Sequence, residues 1–425
     1  MRVAHLLRKL DPAEWSGTEV AVQRLVEGLR GHGVDSVVFC PRLESGSEPD
    51  ALTSSGFHVR RFRAFVPIMG ISQERRRQLV AVGGNLMSLE LLRTLWRTRS
   101  LSVIHTHTLG RLGGIGLTVA RKRRVPFVVT IHGGALDLPA KLQATFRDSR
   151  ERGWEWGKLF GVLFQSHRLF KDADALLTCN PREACLLQEK FPAKRVVVQP
   201  HAVPVEIYQQ DHREAARTAF PAIQERQVLL CLGRLDPVKN QSWLLEQAPL
   251  LFQKHHRALL VLAGPCTDEL YGKFLDEKVR QLGLRGRVLL TGGMAPHDPR
   301  LIGLLQSADL LLLPSLSETF GLVILEAWAA GTVPLASRTS GPSTLIEHDN
   351  NGWLFDLDHP QTFHEALDWA LNKPSRVKEM AARGARIANR YSMATLACKL
   401  KELYTELIDQ KLCATSLSAT TTPTH

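Results

Sequence analysis

No two of the chain's seven cysteines are spaced as Cys-x-x-Cys. Cys40, Cys179, Cys185, Cys231, Cys266, Cys398 and Cys413 are scattered and odd in number, which excludes a structural zinc ribbon and a disulfide framework and suits a reducing cytosol. Long apolar runs are also missing. The opening stretch MRVAHLLRKLDPAEW has a short apolar segment that is interrupted by His5 and followed at once by charge. Neither a signal peptide nor a spanning helix is expected, and the expected location is the cytoplasm. There is no tandem repeat and no G-x-G-x-x-G. The nearest sequence, Gly110-Arg-Leu-Gly-Gly-Ile-Gly116, has other spacing and reads as a small-residue helix lying close on a sheet. Asp172-Ala-Asp174 and Asp356-Leu-Asp358 spell D-x-D, but Asp174 stands at the start of a strand at Ala175 and is read as structural. His105 and His107 share one side of a strand with no carboxylate or cysteine nearby, so no metal is expected. They read as a packed or hydrogen-bonded pair, with His107 a candidate for an acceptor site.

What remains is an ordinary globular composition, 44% apolar and 23% charged, in 425 residues. That length exceeds the size of a single core, so two domains of about 200 residues are expected. The net charge of +12 is unevenly placed: residues 1 to 210 hold 31 Lys and Arg against 19 Asp and Glu, and the remainder balances. The first half is therefore suited to something anionic. No nucleic-acid recognition motif accompanies it.

Short runs rich in β-branched residues alternate with longer amphipathic stretches, the pattern of βαβ units around parallel sheets. The fold class is α/β, with two tandem Rossmann-like domains facing across a cleft. Strands are expected at Arg2 to Leu7, Ser36 to Cys40, Val103 to His107, Pro126 to Ile131, Ala175 to Cys179 and Val196 to Pro200. After a linker near Val203 to His212 they resume at Gln227 to Leu232, Ala258 to Ala263, Arg287 to Thr291, Leu310 to Leu313 and Val333 to Ala336. The domains then span 1–205 and 206–391. A final helix at 392–412 is a candidate to return to the first domain, and the Ser/Thr-rich tail 413–425 is expected to be disordered.

Two segments carry chemistry. In P-S-L-S-E-T-F-G-L-V-I-L-E-A-W-A-A-G, a strand ending at Pro314 leads through a short loop to a helix starting near Phe320. Glu318 in the loop and Glu326 in the helix address different points along a ligand. The amides of Phe320, Gly321 and Leu322 would offer a helix N-terminus to phosphate or to sugar oxygens. In C-L-G-R-L-D-P-V-K-N, a strand ends at Gly233 and is followed by Arg234 and Lys239. A planar guanidinium and a compact ammonium at a strand's carboxyl end suit a diphosphate.

In this order and spacing, these segments resemble the GT4-type retaining glycosyltransferases, the glycosyl transferases of group 1, whose fold is GT-B. The resemblance covers nearly the whole chain. It is carried by G-R-L-x-x-x-K-N, by E-x7-E with its surroundings, and in the first half by S-G-T-E at Ser16 to Glu19, I-H-T-H at Ile104 to His107 and P-F-V-V-T-I-H-G at Pro126 to Gly133. It implies that Arg234 and Lys239 bind the donor diphosphate, Glu318 the donor sugar and Glu326 the ribose. The loop Glu318, Thr319, Phe320, Gly321 and Leu322 would enclose the donor. His132 matches the family's active-site histidine, and Gly17 its glycine loop near the phosphates. The catalytic set so implied is His132, Glu318, Arg234 and Lys239, with no metal and no cofactor. Three departures, Ser16 and Cys266 in place of glycines and Thr344 in place of a glutamate, leave the nucleotide base and the sugar open.

The function expected is retaining transfer of a sugar from a nucleoside-diphosphate sugar to a lipid-linked or polysaccharide acceptor. The alternatives are a sugar-nucleotide isomerase or phosphorylase on the same fold, and a non-catalytic nucleotide-sugar-binding protein. The stretch from Arg60 to Val80 mixes Arg60, Arg61, Arg63, Arg75, Arg76 and Arg77 with Phe62, Phe65, Ile68 and Met69, which suits peripheral contact with an anionic membrane surface. Leu136 to Phe170, with Trp154, Trp156, Phe160 and Phe164, reads as an acceptor wall or a buried helix.

Overall fold

The computed structural model describes residues 1–10, 17–42, 56–73, 76, 79, 86–133, 154–155, 157–266 and 268–420. The chain divides into two units, Met1–Pro200 with Ala394–His425, and His201–Met393. The segment read as a linker is part of the second unit. It forms the helix Val205–Gln209, whose Val205 and Tyr208 are buried.

The first unit contains strands β1 (Arg2–Leu6), β2 (Asp35–Pro41), β3 (His58–Phe62), β4 (Ile68–Met69), β5 (Leu101–Thr106), β6 (Phe127–Ile131), β7 (Trp154–Glu155), β8 (Ala175–Thr178) and β9 (Val196–Val198). Seven form a parallel sheet in the order β3-β2-β1-β5-β6-β8-β9, while β4 and β7 make a separate antiparallel pair. Successive side chains alternate between two cores. Ala4, Leu6, Ile104, Phe127, Val129 and Leu176 face one, and Val3, Val103, Val128, Ala175 and Leu177 face the other.

On the first face lies the helix Gly110–Arg123. A Cβ on Gly116 would come within 2.6 Å of Leu6 Cδ1, so a larger residue there would displace side chains of the sheet. The second face is covered by the final helix, Met393–Thr420, through Ala397, Leu400, Leu403, Tyr404 and Leu407. Their spacing is that of one helical face. The tail expected to be disordered from residue 413 is instead helical through Thr420. Extending an existing helix gains one hydrogen bond per residue without a new nucleation cost, even through Ser and Thr. Residues 421–425 lie outside the described residues.

The second unit holds β10 (Gln227–Leu232), β11 (Ala258–Ala263), β12 (Val288–Gly292), β13 (Leu310–Leu313), β14 (Val333–Ser337) and β15 (Trp353–Phe355). They form a parallel sheet in the order β12-β11-β10-β13-β14-β15. The four leucines of β13 are all buried, as expected of a strand covered on both faces. In each sheet the order reverses beside the first strand, between β1 and β5 and between β10 and β13. In doubly wound sheets ligands bind at the carboxyl ends of the strands flanking such a reversal.

Candidate active site

In the second unit the reversal gathers the residues named from sequence. Arg234 and Lys239 follow β10, and Glu318 follows its neighbour β13. The Lys239 ammonium donates to the Glu318 carboxylate, and both side chains are largely buried. Arg234 is more open and its guanidinium pairs with the Asp236 carboxylate, 3.1 Å away. Asp236 also accepts the backbone N–H of Lys239 at 3.0 Å, so one carboxylate fixes the turn that carries both cations. Asn240, at φ +59°, ends that turn and donates to the Pro314 carbonyl at 3.1 Å, while Leu316 N–H donates to the Val238 carbonyl at 2.8 Å. These bonds join the Lys239 loop to the Glu318 loop. Behind Arg234, a Cβ on Gly264 would lie 2.0 Å from the Gly233 carbonyl oxygen. The loops that follow β10 and β11 thus touch backbone to backbone.

The Glu318 loop is held from its other side. Gly341 N–H donates to the Glu318 carbonyl at 2.8 Å, and a Cβ on Gly341 would meet the Phe320 backbone at 2.6 Å. Gly321, at φ +90°, caps the helix Leu322–Ala330, which starts two residues later than expected. The Phe320 ring is buried beside His201, with centroids 4.9 Å apart, so this residue offers its backbone rather than its ring to the loop. Thr319, Leu322 and Glu326 are partly exposed at or near the helix start. Thr344 donates to the Ser340 carbonyl at 2.9 Å.

In the first unit, His132 follows β6 and His107 follows β5, on adjacent strands. His107 Nδ1 is 3.0 Å from His132 Nε2, and His107 Nε2 is 3.1 Å from Nδ1 of His5, a residue of β1. His5 Nε2 is 3.3 Å from the Ser36 hydroxyl. Three imidazoles and a serine thus form a file across the sheet reversal. His105 lies beside it, 2.6 Å from both Tyr404 Oη and Thr130 Oγ1. Burial holds His5 down to about 3, and His105 well below its ordinary value. Desolvation, with the charge of Arg8 adding to it, holds His132 down to about 3. All three are neutral at pH 7. His5, His105 and His107 present nitrogens within 4.8 Å of one another, but each of those rings already hydrogen-bonds through both nitrogens. Gly17 begins the helix Gly17–Gly31 that follows β1, and is exposed.

Two family descriptions match the two halves of the chain: "Glycosyl transferase 4-like domain" over residues 16–202, and "Glycosyl transferases group 1" over residues 212–387. The chain belongs to the GT4-type glycosyltransferases. Among its relatives, the D-inositol 3-phosphate glycosyltransferase of Thermobispora bispora is 27% identical, across 96% of this chain and 95% of the relative. A protein of the same name from Kineococcus radiotolerans is 29% identical, across 93% and 91%. Of solved structures, sucrose-phosphate synthase from Thermosynechococcus elongatus gives a TM-score of 0.75 at 19% identity, over 96% of this chain and 99% of the other. HepE of Anabaena in complex with UDP gives 0.72 at 18%, over 96% and 100%. These share the fold.

Other expectations for this glycosyltransferase fare differently. Within the arginine-rich stretch, Arg76 is exposed, and Arg75 and Arg77 lie outside the described residues. Phe62 and Ile68 are buried in the core and cannot face a membrane, whereas Phe65 and Met69 are exposed. Arg61 turns inward and donates to the Pro41 and Leu10 carbonyls at 2.9 and 2.8 Å. Of the stretch 136–170, Phe164 is buried and Phe160 packs on the same core, whereas Val162 and Leu163 of the helix Lys158–Leu163 are exposed. Trp156 lies outside the described residues. Asp174 accepts the Phe127 N–H at 2.8 Å, the structural part read for it.

Sequence reasoning missed His5 and Asp236. The first is a polar residue inside an otherwise apolar strand, the second an Asp before Pro at a turn. Both patterns signal a hydrogen-bonding duty.

Proposed function

We propose that this glycosyltransferase moves a sugar, with retention of anomeric configuration and without a metal, from a nucleoside-diphosphate sugar bound by the second unit to an acceptor bound by the first. The observation that carries the reading is the pairing of Lys239 with Glu318 at the sheet reversal, beside the open guanidinium of Arg234. Two cations and the amides of Phe320, Gly321 and Leu322 meet the donor diphosphate. Glu318 holds Lys239 in place and takes the sugar hydroxyls, and Glu326 takes the ribose. As the bond from the anomeric carbon to the diphosphate oxygen breaks, its electron pair passes to the diphosphate, where these donors stabilise the charge. The acceptor hydroxyl attacks on the same face and its proton leaves with the diphosphate. His132, neutral and held by His107, positions the sugar or the acceptor. UDP in the HepE structure and the inositol phosphate named for the relatives support a nucleotide donor and a charged acceptor. The excess of positive charge before residue 211 supports an anionic or lipid-linked acceptor at the inner face of a membrane, in glycan assembly. Among the described residues, no helix is long and apolar enough to cross a membrane.

The test is turnover of UDP-, GDP- and ADP-sugars against a panel of acceptors in excess EDTA. Transfer that persists in EDTA and yields the donor's own anomer is the expected result. Loss of transfer that only manganese or magnesium restores, or an inverted product, refutes the mechanism.

A further inference from the structure

The edge of the first sheet bears a second feature, remote from the histidines. β3 is the edge strand, and its sequence H-V-R-R-F continues into Arg63. Phe62 enters the core, while Arg60, on the same face of this edge strand, and Arg63, just beyond its end, stay exposed. The helix Leu89–Arg97 lies close by, capped by Ser88, whose hydroxyl accepts the Leu91 N–H at 3.0 Å and donates to the Arg63 carbonyl at 2.6 Å. Its Leu91 and Leu95 are fully buried. The opposite face therefore presents Glu90, Arg93, Thr94 and Arg97, spaced i, i+3, i+4 and i+7. Arg42, just beyond β2, completes the ring.

Together these side chains line a cavity of about 560 Å³ whose walls carry five arginines, one glutamate and no lysine. The single carboxylate is already engaged. Glu90 accepts from Arg42 at 3.0 Å and from the Arg63 backbone N–H at 2.8 Å, contacts that hold its carboxyl below the usual range. Arg60 donates to Thr98 Oγ1 at 2.8 Å. Among the described residues, neither Arg93 nor Arg97 has a carboxylate partner. Crowding five guanidinium groups around a concavity is electrostatically unfavourable unless an anion offsets them. An all-arginine set matches the planar, bidentate geometry of phosphate oxygens. The volume falls in the range of small-ligand sites, about 300 to 1,000 Å³. In the strand order, β3 is four places from β6, which carries His132 at its end, or about 19 Å at the usual strand spacing.

We propose that the cavity lined by Arg42, Arg60, Arg63, Arg93 and Arg97 is a binding site for a phosphate-bearing ligand, separate from the donor site. The phosphate belongs either to a lipid headgroup or to a soluble phosphorylated molecule. The site anchors that ligand's charged end away from the reacting atoms, and it does not depend on the donor reading.

The experiment uses the full chain, the double variant Arg93→Ser/Arg97→Ser, and the charge-matched control Lys122→Ser/Lys190→Ser, whose two lysines are exposed elsewhere on the first unit. The probes are inorganic pyrophosphate, followed by calorimetry, and vesicles of phosphatidylglycerol in phosphatidylcholine, followed by sedimentation. Expected is a loss of at least tenfold in affinity in the arginine variant alone, with stabilisation by the preferred nucleotide unchanged. Loss for pyrophosphate only assigns a soluble phosphorylated ligand; loss for vesicles only assigns a headgroup; loss for both supports the shared phosphate chemistry. Absence of binding to either probe by the parent protein, or equal weakening in the lysine control, overturns the proposal.

Discussion

His107 stands between two other imidazoles, 3.0 Å from His132 on one side and 3.1 Å from His5 on the other. A neutral imidazole donates from one nitrogen and accepts at the other. Each junction in this file joins an Nδ1 to an Nε2, so all three rings must carry the same tautomer. If the Ser36 hydroxyl donates to His5, every ring holds its proton on Nδ1 and His132 offers a donor at its far nitrogen. If Ser36 accepts, every ring holds it on Nε2 and His132 offers a lone pair there.

Nitrogen-15 shifts of the three rings should therefore report one common tautomer, with His5 and His132 unprotonated at pH 6. A mixed set would refute the file. His107→Asn should decouple His132 from His5 and lower turnover by about tenfold to a hundredfold, the usual range for a residue that orients another through a hydrogen bond. The fold, followed by circular dichroism, should be unchanged.

The ion pair in the second unit makes a different prediction. Glu318→Gln and Arg234→Ala should each lower turnover by about a hundredfold, near 3 kcal/mol of barrier, while the protein stays folded. Because Lys239 and Glu318 act as a pair, Lys239→Met combined with Glu318→Gln should cost much less than the sum of the two single losses in log units. Additive losses would mean that they act separately.

Acid should destabilise the first unit. His5 and His105 are held neutral in the folded state, while their unfolded counterparts take up protons below pH about 6.5. The unfolded state then binds more protons, so stability is lost as pH falls from about 6.5 toward 3, at about 1.4 kcal/mol per pH unit for each ring. Urea midpoints at pH 7 and pH 5 would measure it. His5→Gln should flatten the slope, and an unchanged slope would show that His5 is not among the groups responsible.

Tyr404→Phe removes the hydroxyl 2.6 Å from His105 Nδ1 in a fully buried setting. Leaving that nitrogen unsatisfied should cost about 1 to 3 kcal/mol. Denaturant unfolding checks it: a midpoint equal to the parent's would mean that the ring rearranges.

Strands covered on both faces, such as β10, β11 and β13, were readable to the residue because each is an apolar run, preceded in β10 only by Gln227. β3 was not, since an edge strand can expose alternate residues and so tolerates H-V-R-R-F. β15 is only three residues long. At the site, the motif residues Arg234, Lys239 and Glu318 were legible from residue type and position after a strand. The Lys239–Glu318 pair was not, because it arises from the neighbouring of β10 and β13, strands separated in sequence by a whole βαβ excursion. Nor was the link of His107 to His5, which joins residues 102 positions apart.

The division of the chain sets an order of assembly. The second unit is one continuous segment, His201–Met393, whereas the first is finished only by the helix that follows it. On the ribosome, Val3, Val103, Val128, Ala175 and Leu177 emerge with Leu29 and Val34 beside them but are only partly covered until Leu400, Leu403 and Tyr404 have been made. At the usual 5 to 20 residues per second, translating the intervening unit takes on the order of ten to forty seconds. For that interval the nascent protein exposes an apolar sheet face, a surface suited to a chaperone, and a message truncated before codon 394 would leave it exposed for good.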